Sequence, residues 1–399
     1  MLAILTTHPI QYQVPVWQAL AADGRVPFEV WYLTRFNTQP SEDVEFGKTF
    51  AWDIDVLSGY PYRFVETAPG ATPVTPWRCR LTEPLRQRLR GAGAKALWIQ
   101  GWQVAAYWQA VREAKAAGAE VWLRAESNDL APTPAWKRPI KRLLLGQFFR
   151  RVDRFLTIGS ANARLYRSYG IPESRLDRAP YAVDNPRFAQ QAEALRPRRQ
   201  ELRRAWGIAD DAFCVLFCGK FIAKKRPFDL IEAARLLRGR GQHNIHLLFA
   251  GSGELGARLR TSCNVAVDGE QPARPPSAGS ERPVASFTGF LNQTEISRAY
   301  VAADCLVLPS DHGETWGLVV NEAMASGLPC VVSDACGCAE DLVAPTQRFP
   351  LGNAAALADR LQNLVAGRKP EPATSLPTVD MTVSAVVDAW QAAAAWAQR

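Results

Sequence analysis

Short apolar runs recur along the chain at strand length, separated by stretches with helical spacing. In the first half LAILTT, FEVWYL, YRFVET, ALWIQ, EVWLRAE and RFLTIG fit strands. Residues 102–118 (WQVAAYWQAVREAKAAG) predict a helix closed by Gly118, the residue type that takes the left-handed turn after a last helical turn. This helix stands between two apolar strands, which makes a strand–helix–strand unit and a parallel sheet. The opening MLAILTTHPIQYQ has no basic segment and no small-residue cleavage site, so it predicts a buried strand and a loop rather than a signal peptide.

The pattern breaks after YAVDNPRF, Tyr181–Phe188, and residues 189–204 turn polar and basic, as a linker with a surface helix would. A second series follows: FCVLFCG, IHLLFAG, VASFTGF, DCLVLPS and GLPCVVSD, with helices expected at Pro227–Arg238, Thr294–Ala302 and Leu318–Ser326. Residues 264–285, rich in Pro, Gly, Ser and charge, read as an exposed loop insertion. The expected organisation is an α/β domain over 1–188, a second over 189–377, and a helix over 378–399.

Composition agrees with this reading. The 399 residues are 47% hydrophobic and 22% charged, which is globular, and the length suits two domains. No apolar run reaches the roughly 18–20 residues that span a bilayer. The eight cysteines (Cys79, Cys214, Cys218, Cys263, Cys305, Cys330, Cys336 and Cys338) lie largely in apolar runs, as buried thiols of a reducing cytoplasm do. Cys336-Gly337-Cys338 is too tight for a zinc pair and no histidine cluster adjoins it, so no metal is expected. Net charge is +8; residues 1–185 hold 24 basic and 17 acidic groups, leaving 47−24=23 and 39−17=22 for the rest. A basic first half suggests an anionic partner: membrane, lipid phosphate or nucleic acid. No nucleic-acid module signature accompanies it.

Four features of the second half point to one ligand type. Gly219-Lys220 with Lys225 follows an apolar strand; the glycine lets backbone approach a ligand and the lysines suit phosphate, although a solvated basic loop reads the same. Gly251-Ser252-Gly253-Glu254 borders a nucleotide or makes an ordinary tight turn. Phe287-Thr288-Gly289-Phe290-Leu291 exposes backbone for a base edge, or is a plain turn. Glu314 lies in a Gly-flanked loop (Gly313, Thr315, Trp316, Gly317), and Glu322 on the helix beginning at Leu318. Between the two carboxylates is a helix start, whose amides suit an anion, while carboxylates accept from sugar hydroxyls.

In this order and spacing the features resemble glycosyltransferase family 4. The stretch from Leu306 to Glu340, with its paired glutamates, and Gly219-Lys220 with Lys225 carry the likeness; the first half is similar more loosely, best over RVDRFLTIGSANARLYRSYGIPESRLDRAPYAVDN. The resemblance implies a GT-B fold: two Rossmann-like domains facing a central cleft, with the C-terminal helix crossing back to the first. It implies a retaining, metal-independent transfer from a nucleotide-sugar donor to a glycan or lipid-linked acceptor in cell-surface polysaccharide or lipopolysaccharide assembly. It implies ribose on Glu322, donor sugar near Glu314, and diphosphate on Lys220, Lys225 and the backbone of Thr315–Gly317. Lys220 replaces the family's usual Arg, Trp316 a Phe and Cys336 a Gly, which bears on donor choice.

For the first half, His8 in the loop after the first strand reads as a general base or as a loop-bonded histidine. Glu126 reads as an acceptor contact or base, or as the partner of Arg124. Trp102 stacks on a sugar face or fills the core. Trp136–Arg154 holds seven Lys/Arg against one Asp, with Ile140, Leu143, Leu144 and Phe148 at helical spacing. It reads as a helix packed on its domain or lying on the inner face of an anionic membrane. Alternative functions are a sugar-nucleotide epimerase or hydrolase on the same fold, a non-catalytic glycan-binding relative, and a basic nucleic-acid-binding protein.

Overall fold

Every residue of β1 (Leu2–Thr6) is buried, and so is every residue of the strand over Ala96–Ile99 beside it. Strands apolar on both faces belong inside a parallel sheet covered by helices on both sides. The computed structural model describes all residues except 37, 39, 44–45, 74, 272–281, 369–375 and 397–399. It forms two units: Met1–Ser41, Phe50–Val183 and Pro377–Arg399 in the first, Glu42–Thr49 and Asp184–Leu376 in the second.

After β1, the chain forms β2 (Phe28–Tyr32), the short pair β3 (Ser41–Asp43) and β4 (Lys48–Phe50), then β5 (Tyr62–Phe64), β6 (Ala96–Ile99), β7 (Glu120–Leu123), β8 (Arg154–Thr157) and β9 (Leu176–Arg178). The first unit's sheet runs β5-β2-β1-β6-β7-β8-β9, parallel throughout. The helix Ala105–Ala117 ends at Gly118, which adopts φ 82°. The last helix, Val379–Trp396, lays Val383, Val386, Val387 and Trp390 into the core around Leu2, Ile4, Trp17 and Trp98.

The second unit holds β10 (Phe213–Cys218), β11 (Ile245–Ala250), β12 (Asn264–Asp268), β13 (Val284–Gly289), β14 (Cys305–Leu308), β15 (Cys330–Ser333) and β16 (Arg348–Phe349). Its order is β12-β13-β11-β10-β14-β15-β16, again parallel. The buried histidine of β11, His246, lies 2.9 Å from Ser286 Oγ, whose own proton goes to Trp206 O at 2.7 Å. The imidazole is therefore the donor to Ser286, which defines it as the Nε2–H tautomer.

Three expectations are corrected. The division falls between Val183 and Asp184, not after Phe188, and residues 42–49 belong to the second unit. Residues 189–204 are no linker: the helices Asn185–Leu195 and Arg199–Ala205 are part of that unit. Their basic composition misleads because Arg203 is buried and bonded to Ala302 O, Asp304 and Ala209 O, while Arg199 reaches Asp304 at 2.7 Å. Within the expected insertion 264–285, Asn264–Asp268 is the edge strand β12 and Val284 opens β13; 272–281 lie outside the described residues.

Candidate active site

The loop after β10 opens with Gly219 at φ 141°, a backbone state closed to other residues, although a Cβ there would meet nothing. Lys220 Nζ lies 3.0 and 3.1 Å from the two Asp43 oxygens and 4.9 Å over the Phe46 ring. A single helical turn, Ala223–Lys225, then leads to Arg226, the one non-glycine at positive φ among the described residues. That state costs roughly 1–2 kcal/mol. Arg226 is clamped there by two bonds to Asp229, 2.7 and 3.0 Å, in the first turn of the helix Pro227–Gly239. The clamp sets where Lys225 projects. Its ammonium pairs with Glu314 Oε2, the two side chains 17% and 13% exposed.

Glu314 is positioned from both sides. Asp311 N donates to Lys224 O at 2.8 Å, Glu314 N to Asp311 O at 2.9 Å, and Gly337 N to Glu314 O at 3.0 Å. Gly317 caps the helix Leu318–Ala325 at φ 107°, a backbone state that favours glycine, and a Cβ there would stand 2.6 Å from Leu308 Cδ2 and push that side chain aside. Trp316 is buried, its indole N–H given to Asn321 Oδ1 at 2.9 Å and its carbonyl accepting from Cys338 N at 3.0 Å, so the ring fills the interior. Thr315 and Leu318 are half-buried on either side. Ser310 Oγ and His312 Nδ1 are buried with no hydrogen-bond partner among the described residues.

Glu322 is 3% exposed and accepts from Tyr300 OH at 2.5 Å. Burial of a carboxylate costs several kcal/mol unless such bonds compensate. Burial pushes the Cys218 thiol up to about 12; the Glu322 charge adds to that shift and the Lys225 charge opposes it. Burial likewise raises Cys336, with Glu314 raising it further and Lys225 lowering it. Glu314, Glu322 and Lys225 thus act on one neighbourhood, and its thiols are held protonated and inert.

Gly251 and Gly253 have a packing explanation. A Cβ on Gly251 would stand 2.0 Å from Gly219 O, and one on Gly253 2.8 Å from Phe221 N. Gly251 N donates to Gly289 O, and Phe221 N to Ser252 O, so three loops lock together. Glu254 is exposed and makes no hydrogen bond or ion pair among the described residues. Phe290 packs edge-on against Phe46 at 5.1 Å, beside the half-buried Leu291, and Ser252 Oγ donates to Phe46 O at 2.8 Å. Asp43, Phe46 and Tyr300 were not legible in the sequence; no motif or spacing ties them to these loops.

The first unit holds the other two candidates. His8 Nδ1 lies 2.9 Å from Thr7 Oγ1, its ring edge-on to Phe36, and burial lowers its pKa to about 4. It is a neutral imidazole at physiological pH. Glu126 accepts from Tyr181 OH at 2.6 Å. Arg124, buried, stacks 4.6 Å from the same tyrosine ring and donates to Pro180 O, so Tyr181 stands between Arg124 and Glu126, whose direct pairing is one of the two readings of Glu126. Trp102 packs edge-on against Phe149 at 5.3 Å and joins the core. The expected stripe of the basic helix splits: Phe148 is buried with Leu145 and Phe149, while Ile140, Leu143 and Leu144 are exposed. Among the described residues no three His, Cys, Asp or Glu gather as a metal site would, and no helix is long and apolar enough to cross a membrane.

Residues 16–182 match the family described as a glycosyl transferase 4-like domain, and residues 198–374 the family glycosyl transferases group 1. A GDP-mannose-dependent alpha-mannosyltransferase of Mycobacterium tuberculosis is 32% identical over 211 residues, 53% of this chain and 44% of that protein. A D-inositol 3-phosphate glycosyltransferase of Geodermatophilus obscurus is 31% identical over 196 residues, 47% of this chain and 39% of that protein. The chain therefore spans less than half the length of either relative. A crystal structure of Anabaena HepE in complex with UDP and glucose aligns with a TM-score of 0.59 over 97% of this chain and 94% of that one, at 15% identity. That likeness is one of fold.

Proposed function

Because the chain belongs to the glycosyltransferases, a 4-like domain followed by a group 1 domain in the GT-B fold, we propose that it moves a sugar from a nucleotide-diphosphate donor to a glycan or lipid-linked acceptor, with retention. The observation that carries this is the convergence of Lys225, Glu314 and Glu322 around the start of the helix Leu318–Ala325. Breaking the anomeric bond builds negative charge on the leaving diphosphate. Fixed cations at Lys220 and Lys225, with the helix's first amides, stabilise that charge more than they stabilise bound donor. They supply what a metal would otherwise supply. Without donor, Glu314 serves as the counter-ion of Lys225; a diphosphate taking over the ammonium leaves Glu314 for sugar hydroxyls. Glu322, held by Tyr300, receives the ribose hydroxyls, and the loops of Gly251, Gly253, Glu254, Phe290 and Leu291 border the base. The name of the Mycobacterium tuberculosis relative, which mentions GDP-mannose, and the UDP and glucose bound to HepE support the donor class.

The acceptor belongs to the first unit, with Glu126 and His8 as the residues to contact it or take its proton. The basic segment Trp136–Arg154 with its exposed apolar side chains supports peripheral contact with the inner face of an anionic membrane, and with it a role in cell-surface glycan assembly.

The test is thermal unfolding in the presence of UDP, GDP, TDP or ADP, since a bound ligand raises the midpoint with its occupancy free energy. One nucleotide should stabilise the chain, and its sugar conjugate should then label an acceptor. No stabilisation by any of the four overturns the reading. Product formed from donor alone would favour an epimerase or hydrolase.

A further inference from the structure

The helix Arg138–Phe149 is anchored by its second half. Leu145, Phe148 and Phe149 are buried, and Phe149 packs edge-on to Phe155 and Tyr166 at 5.5 Å. Its first half stands clear of the core. Beside that half lies a cavity of about 340 Å³, walled also by the loop after β7 and by the end of the helix Ser160–Ser168. The volume is at the lower end of the ~300–1,000 Å³ of small-molecule sites.

Arg138, Lys141 and Arg142 line the cavity, and their spacing puts them on one helix face. Each is held by a neutral partner. Arg138 Nε donates to Thr133 O at 2.9 Å, Lys141 Nζ lies 3.5 Å from Thr133 Oγ1, and Arg142 stands 5.9 Å from the Tyr169 ring centre. None of the three pairs with a carboxylate among the described residues. The one carboxylate in the wall, Asp129, is bonded to Arg164 at 2.9 Å. This arrangement is costly when empty of anion. Like charges three or four apart destabilise a helix. Cations near a helix start also oppose its dipole, and the first turn here has no acidic residue. An anion in the cavity reverses the sign of each contribution.

We propose that this cavity is a binding site for a phosphate ester. Two guanidinium groups and an ammonium match a phosphate dianion, and the volume left over admits the polyol or sugar that carries it. The site lies on the same loop as Glu126, so it deepens the reading of the first unit as the acceptor side and rests on it. The acceptor class is then a phosphorylated one, soluble or lipid-borne. The exposed Ile140, Leu143 and Leu144 fall on the opposite face of the helix by its 100° step, so the apolar ridge and the cavity can be altered separately.

The test uses the full chain and three probes at constant ionic strength: inorganic phosphate, glucose 6-phosphate, and vesicles containing phosphatidic acid matched in charge by vesicles containing phosphatidylserine. Binding is read by calorimetry for the soluble probes and by co-sedimentation for vesicles. The expected result is saturable binding of at least one phosphate-ester probe, weakened about tenfold or more in Lys141→Gln and in Arg142→Gln. Leu143→Ser should leave soluble-probe binding unchanged. Preference for glucose 6-phosphate identifies a soluble ligand, and preference for phosphatidic acid over phosphatidylserine a lipid one. Equal binding in wild type and both variants, or binding that follows charge alone, overturns the proposal. Nucleotide stabilisation measured on the same variants should be unchanged; its absence in every chain, wild type included, would count against the transferase reading instead.

Discussion

Tyr300 donates its hydroxyl to Glu322 Oε2 at 2.5 Å, and both side chains are buried in the second unit. A hydrogen bond to a charged group contributes ~1.5–3 kcal/mol, here to the orientation of a carboxylate. Tyr300→Phe should therefore weaken nucleoside diphosphate binding by about tenfold while turnover at saturating donor changes little. Glu322→Gln should do the same. An affinity in Tyr300→Phe equal to wild type, measured by calorimetry, removes Glu322 from the ribose.

Lys225 and Glu314 form one ion pair, so their contributions to rate are coupled. Lys225→Ala and Glu314→Gln should each lower turnover by on the order of a hundredfold, and the double variant by less than the product of the two. Steady-state rates decide it: wild-type turnover in both single variants refutes the site. A chelator should leave the wild-type rate nearly unchanged if, as proposed, lysines and helix amides carry the leaving-group charge.

Asp43 holds Lys220 with both oxygens, and Phe46 covers the same ammonium. A diphosphate bound at Lys220 competes with that carboxylate. Asp43→Asn should raise nucleoside diphosphate affinity by about threefold to tenfold, and Lys220→Ala should lower it. Weaker binding in Asp43→Asn would make the aspartate a donor contact and reject the competition.

His246 sets a pH dependence of stability. Burial first, and the nearby Arg203 charge second, lower its pKa from 6.5 to about 4. Between those values the unfolded chain binds a proton that the native chain does not, so stability falls as pH drops below 6.5 and is complete above it. The difference corresponds to about 3 kcal/mol once pH is below both values. Denaturant unfolding at pH 7.5 and pH 5 should show a larger loss in wild type than in His246→Leu. Identical losses would refute the assignment. His8 shifts in the same direction and is common to both chains.

Much of the proposed donor site is legible as sequence because its parts are local. Gly219, Gly317 and the spacing of Glu314 and Glu322 are read from neighbouring residues, and the backbone states observed at the two glycines explain why those letters stand there. Trp316 and Trp102 were not legible in the same way: an aromatic in a loop looks identical whether it faces ligand or core, and both rings turned inward. The charge of residues 189–204 misled for a related reason, since composition does not show that Arg203 is buried on carbonyls.

The sequence by itself determined the alternation of strand and helix, the parallel sheets that follow from it, and which short loops carry cations and carboxylates. Hydrophobic period and turn chemistry are local properties, written within a few residues of where they act. Only the tertiary structure decided that Tyr300 serves Glu322, that Asp43 serves Lys220, that Tyr181 stands between Arg124 and Glu126, and that Arg138, Lys141 and Arg142 share one cavity. Apart from the last three, which share a helix, these partners lie far apart along the chain, and sheet order and loop packing bring them together.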